Sequence, residues 1–165
     1  MSAAKTHPSL SVVSTTNAPG AIGPYVQAIK VGDLLFCSGC IPVDPANGSI
    51  PDGVKAQTKQ ALKNLRAVVE AGDSELGKVV KTTVFLKDMN DFVTVNGIYE
   101  EAFGNHKPAR SAVEVARLPK DVLVEVECIA RCVQESHFGA GRDRNAVGVV
   151  SSLLSLAHRD FYSLK

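Results

Sequence analysis

The chain has 165 residues, 45% hydrophobic and 21% charged, which is ordinary for one soluble globular domain and enough to bury a core without disulfides or metal. With 18 Lys+Arg against 17 Asp+Glu the formal net charge is +1, so a nucleic-acid binder relying on a strongly basic surface is disfavoured. The longest nearly apolar run, Ala146 to Ala157, is 12 residues and contains three serines, too short to span a bilayer.

In chain order, residues 1–14 read as a flexible leader. Met1 to Thr16 is rich in Ser and Thr, and no acid precedes Asp33, as in transit peptides. The stretch holds only Lys5 and no Arg, so the expected compartment is the cytoplasm, with the mitochondrion as the alternative. Ser11 to Thr15 predicts a short strand and Asn17-Ala18-Pro19-Gly20 a break. Tyr25 to Lys30 and Leu34 to Ser38 predict two strands joined by a tight turn at Val31-Gly32-Asp33. A loop from Ile41 to Asp52 follows, punctuated by prolines and Gly48.

Asp52 is positioned to cap a helix over Val54 to Ala71, in which Ala61, Leu62, Leu65, Val68 and Val69 share one face and Gly72 ends the run. Val79 to Leu86 predicts a β-branched strand. Asn90 or Asp91 can cap a second helix presenting Phe92, Val95, Tyr99 and Phe103, ending near Gly104. Ser111 to Ala116 and Val122 to Arg131 predict two more strands. The order βββ-α-β-α-ββ defines an α+β fold: one mixed sheet with two helices on one face. Two helices cannot cover both faces, so a partner subunit is expected on the other. After Cys132, Gln134 to Asn145 is polar and Gly-rich, Val147 to His158 has the pattern of a short helix, and residues 133–165 are expected to form a poorly ordered extension.

Cys37-Ser38-Gly39-Cys40 has redox spacing, and Cys128 to Cys132 could supply a second ligand pair. Cys37 and Cys128 lie in apolar strand-like runs rather than on knuckle turns, and no helix opens after Cys40. Reduced structural cysteines are the simpler reading. Phosphate-loop, zincin and nucleophile-elbow patterns are absent. The notable polar residues lie within strands. Arg110 opens one directly after Pro108-Ala109, and its planar fork suits a carboxylate. Glu125 and Glu127 point to one side of another strand by period two, either as a solvated face or toward a ligand.

These residues sit in a pattern that resembles the RidA/YjgF family of reactive intermediate imine deaminases, also described as L-PSP proteins. The resemblance rests on Asn17-Ala18-Pro19, Ile22-Gly23-Pro24-Tyr25, Ser38-Gly39, Val80 to Asp88, Pro108-Ala109-Arg110-Ser111 and Val115 to Lys120 with Glu125 following. It runs in order from about Thr15 to Arg131, so residues 15–132 are taken as the domain. The resemblance implies a chorismate-mutase-like fold, a homotrimer with intersubunit sites, and no cofactor or metal. It further implies hydrolysis of enamine/imine intermediates such as 2-aminoacrylate and 2-aminocrotonate, released by pyridoxal-phosphate enzymes, to 2-oxo acids and ammonia. By the same resemblance Arg110 binds the substrate carboxylate. Tyr25, Ser38, Gly39 and Asn96 line the pocket, and Glu125 orients water or donates a proton. Ala112 stands where many family members have cysteine, and the extension from residue 133 has no counterpart in the pattern. Two other functions are compatible with the residues: a non-catalytic trimer that binds small carboxylates, and an L-PSP-type endoribonuclease or translation inhibitor. A holdase role is also attributed to relatives.

Overall fold

The computed structural model describes residues 4–132. Alternation of apolar and polar side chains produces six strands: β1 (Leu10–Val13), β2 (Ala28–Val31), β3 (Leu34–Cys40), β4 (Val79–Leu86), β5 (Ala109–Glu114) and β6 (Val124–Arg131). Two helices interrupt them, α1 (Gly53–Ala71) and α2 (Phe92–Phe103). The sheet order is β1-β2-β3-β6-β4-β5; β4 and β5 run parallel and every other pair is antiparallel. Leu10–Val13 pair with Val31–Ala28, so the short strand predicted at Ser11 to Thr15 forms one residue earlier, as the edge strand of the sheet, within the end of the stretch 1–14. The predicted helix from Val147 and the rest of 133–165 lie outside the described residues.

The β2–β3 connection is a two-residue turn, Gly32-Asp33, with Val31 opposite Leu34. Gly32 has φ +57°, a conformation that glycine adopts without a Cβ penalty. In α1 the apolar face predicted from the sequence is buried, and Gln57, Thr58 and Asn64 are buried with it. Asp52 occupies the N-cap position but its side chain makes no capping bond. Nor does Asp91 cap α2. One short turn earlier Asp88 accepts from the Asn90 amide at 2.8 Å. The first α2 turn is entered through a 3-10 turn, Met89–Asp91, which moves the capping position upstream.

Both helices pack on one face of the sheet. Leu35, Leu65, Val69, Val84, Leu86, Val124 and Val126 are almost fully buried there, and Val95, Tyr99 and Phe103 bring α2 into the same core. The four cysteines are free and buried on this side, with Cys37 directly across from Cys128. Hydrogen bonding to Cys37, and then burial, pushes the Cys128 thiol far up, and burial pushes up that of Cys40. These thiols are held protonated and unreactive, as structural cysteines are. The opposite sheet face has no covering layer among the described residues. Val12, Ile29, Phe36 and Ile129 are successive cross-strand partners on it. Val113, Phe85 and Glu125 form a second row. Phe36 is 41% exposed and Val113 40%, large apolar groups left in water in the single chain.

Candidate active site

Six residues were singled out by sequence, and the fold brings them together in two groups. The first lies at the β5 edge on the helix side. Arg110 pairs across β4 with Thr82, whose side chain is buried beneath the helices. Alternation therefore aims Arg110 toward α2. Its guanidinium carbon lies 4.8 Å from the Tyr99 ring centroid and 5.6 Å from that of Phe92, a cation held over two aromatic faces. Among the described residues it enters none of the ion pairs. Tyr99 is fixed in turn by a 2.7 Å hydrogen bond between its hydroxyl and Thr82, and burial raises its pKa, keeping the hydroxyl neutral.

Asn96, one turn before Tyr99 on α2, lines the same cleft as Arg110, with His106 and Pro108 at its rim; the cleft measures about 460 Å³. The Oδ1 atom of Asn96 is buried with no hydrogen-bond partner among the described residues. A guanidinium with no ion-pair partner among the described residues, lining a cleft, is an arrangement that a ligand carboxylate would complete. His106 is held by a 2.7 Å bond between Nε2 and the Val79 carbonyl oxygen; because that oxygen can only accept, Nε2 donates.

The second group lies near the far end of β3. Tyr25, Ser38 and Gly39 border a cavity of about 260 Å³ under the loop from Ala18 to Ile22. Gln27 builds that loop: its amide accepts from the Thr15 amide and donates to the carbonyl oxygens of Thr15 and Pro19 at 3.0 and 2.8 Å. The Tyr25 hydroxyl accepts from the Ile22 amide at 3.2 Å, and the residue is 47% exposed. Ser38 Oγ donates to the Val26 carbonyl oxygen at 2.7 Å. Glu125 lies beside Gly39 on the open face, paired with Phe85. Its pKa is raised by burial and then by the neighbouring charge of Glu127.

Arg110 and Glu125 thus lie on opposite faces of the sheet within one chain. Tyr99 and Phe92, the aromatic platform of Arg110, were read from the sequence only as core residues; the signal was present in their spacing on α2, three residues either side of the Val95–Asn96 pair. Gln27 carried no signal at all, because its partners are backbone atoms brought close by the loop.

The fold and this cleft define a class: a two-layer α+β protein with an anion-receptive arginine at one sheet edge and a second, carboxylate-bearing group at the other end. The chain belongs to the Endoribonuclease L-PSP family, whose model matches residues 15–132; this is the RidA/YjgF family of the sequence resemblance. Among its relatives, a 2-iminobutanoate/2-iminopropanoate deaminase of Salmonella typhimurium is 55% identical over 121 residues, 72% of this chain and 94% of that protein. The crystal structure of E. coli TdcF with bound serine is 47% identical with a TM-score of 0.72, covering 74% of this chain and 99% of that one. The structure of the YjgF gene product from E. coli is 54% identical with a TM-score of 0.71, covering 73% and 98%. No helix among the described residues is long and apolar enough to cross a membrane.

Proposed function

We propose that this protein is an imine deaminase: it adds water to the C=N carbon of small 2-imino acids, such as 2-iminobutanoate and 2-iminopropanoate, and releases a 2-oxo acid and ammonia. The observation that carries this reading is the Arg110 guanidinium, stacked on Tyr99 and Phe92 with no acid paired to it among the described residues, in a cleft that Asn96 also lines. The guanidinium takes the substrate carboxylate by two parallel hydrogen bonds and so fixes the adjacent imine carbon. The relatives named as 2-iminobutanoate/2-iminopropanoate deaminases support the substrate class.

The two groups of residues are brought together by association. In the proposed homotrimer the Arg110 cleft of one subunit meets the Tyr25, Ser38, Gly39 and Glu125 group of the next. The apolar rows around Phe36 and Val113 on the open sheet face supply the contact. Glu125 then faces the carbon that Arg110 has positioned. As a carboxylate it accepts a proton from the attacking water. Addition to the protonated imine gives a neutral carbinolamine; Glu125 passes its proton to the nitrogen, the C–N bond breaks as ammonia leaves, and the hydroxyl proton returns to Glu125 as the C=O forms. A carboxyl with raised pKa suits both halves of this exchange. The imines are the short-lived products that pyridoxal-phosphate dehydratases release from serine and threonine.

The test couples a serine or threonine dehydratase to the protein and traps surviving imine with semicarbazide. Wild-type protein is expected to suppress the semicarbazone and speed 2-oxo acid release. Arg110→Ala is expected to do neither while keeping the oligomeric state. Undiminished suppression by Arg110→Ala overturns the assignment. Binding of 2-oxobutyrate without faster imine decay identifies a carboxylate-binding protein instead.

A further inference from the structure

Gly39 sits where the β3–β6 register breaks. Cys37 pairs with Cys128 and Cys40 with Val126, so three steps along β3 match two along β6 and one extra residue is accommodated at Ser38-Gly39. This is a β-bulge, a device that re-aims side chains at the cost of a ladder bond. Glycine is often required at bulges for a positive φ, but not here: the positive-φ glycines are Gly32, Gly48, Gly53 and Gly104. The backbone at residue 39 is open to any amino acid, so the reason for a missing side chain lies in what surrounds it.

A Cβ placed on Gly39 would overlap Glu125 Oε1 and come 2.7 Å from its Cδ and 3.0 Å from its Cγ; these are the three nearest atoms. The position is therefore occupied by the carboxylate itself. Gly72 provides the contrast, since a Cβ there would strike Leu35 in the packed core. Glu125 enters none of the ion pairs among the described residues, so no salt bridge holds it in place. We propose that Gly39 is a positioning residue, whose absent side chain creates the seat that holds the Glu125 carboxylate against the β3 bulge. The seat is also what partly withdraws the carboxylate from water. This deepens the deaminase reading above and rests on it for its kinetic consequence.

Because the clash is with the end of a flexible side chain and not with backbone, Gly39→Ala is expected to evict the carboxylate while leaving the sheet intact. Two readouts test it. The first, independent of activity, is the Glu125 carboxyl titration followed by carbon NMR in the full chain. In wild type it is expected above the ordinary glutamate range, and in Gly39→Ala it is expected to fall back toward that range. The second is dehydratase-coupled kinetics: kcat is expected to fall on the order of 10- to 100-fold with little change in KM. Glu125→Asp, one methylene shorter, is expected to recover part of that loss in the Gly39→Ala background. An unchanged titration and kcat in Gly39→Ala overturn the proposal. A shifted titration in a protein whose wild type has no deaminase activity keeps the seat and removes the function. Should Gly39→Ala alone not fold, Gly39→Ala/Glu125→Gly is expected to fold, and its failure to do so overturns the proposal as well.

Discussion

Among the described residues Arg110 pairs with no acid, and the two rings beneath it explain how the fold tolerates this. The aromatic faces of Tyr99 and Phe92 attract the cation without consuming its hydrogen-bond donors, and Arg110 lines the cleft. Arg110→Lys keeps a positive charge but loses the planar fork, and kcat/KM is expected to drop roughly 10- to 100-fold in the coupled assay. Glu125 makes a prediction of the opposite kind. Its folded pKa is raised, so ionisation is harder in the native state than in the unfolded chain, and the carboxylate detracts from stability above its folded pKa. The penalty fades as the pH falls through that value and is absent below the unfolded value. Glu125→Gln is therefore expected to raise Tm by a few degrees near neutral pH, with the gain vanishing in acid, while deamination falls; thermal scans from pH 4 to 8 check this. A Tm difference that grows toward acid pH would reverse the sign and exclude a raised pKa.

At the scale of elements, the helices do more than cover the sheet. Asn64, fully buried on α1, donates to the carbonyl oxygens of Ile41 and Val43 at 2.9 and 2.8 Å. Gln57 accepts from the Leu123 amide at 2.7 Å. Both ties hold the chain leaving β3 and entering β6, the strands that carry Gly39 and Glu125. Asn64→Ala strands two buried carbonyls and is expected to cost about 2–4 kcal/mol, measured by urea unfolding at fixed protein concentration. On α2, Tyr99→Phe keeps the ring under Arg110 but leaves Thr82 Oγ1 without its partner. It is expected to cost about 1–3 kcal/mol of stability while imine turnover survives, which separates the platform from its tether. A severe loss of turnover in a folded Tyr99→Phe protein would give the hydroxyl a role in the chemistry.

For the whole molecule, the decisive feature is the bare sheet face. Val12, Ile29, Phe36 and Ile129 run across four strands as one apolar band, and an isolated chain would leave it wet. Phe36→Asp places a charge in the middle of that band. Sedimentation is expected to show the proposed trimer dissociated, with activity lost although Arg110 and Glu125 are intact, because each chain holds them on opposite faces. Full activity in a monomeric Phe36→Asp protein would mean that one chain suffices.

Much of this was legible from residues alone, for physical reasons that can be named. Period two in Val124–Arg131 predicted that Glu125 and Glu127 share a face, and period 3.6 located the buried sides of both helices, because burial is read out locally by side-chain direction. The order of elements predicted one sheet with one covered face. Caps and strand ends were less legible: Asp52 and Asp91 have the right chemistry at the right place, yet neither side chain makes a capping bond. The first strand, predicted at Ser11 to Thr15, forms at Leu10–Val13, because its ends are set by the ladder with β2. The bulge at Ser38-Gly39, the seat of Glu125 and the stacking of Arg110 had no local signature, since each depends on atoms far apart in the chain. Patterning determines which side of an element faces inward; only the folded sheet decides which neighbours meet there, because register and close contact are properties of pairs of strands and not of either one.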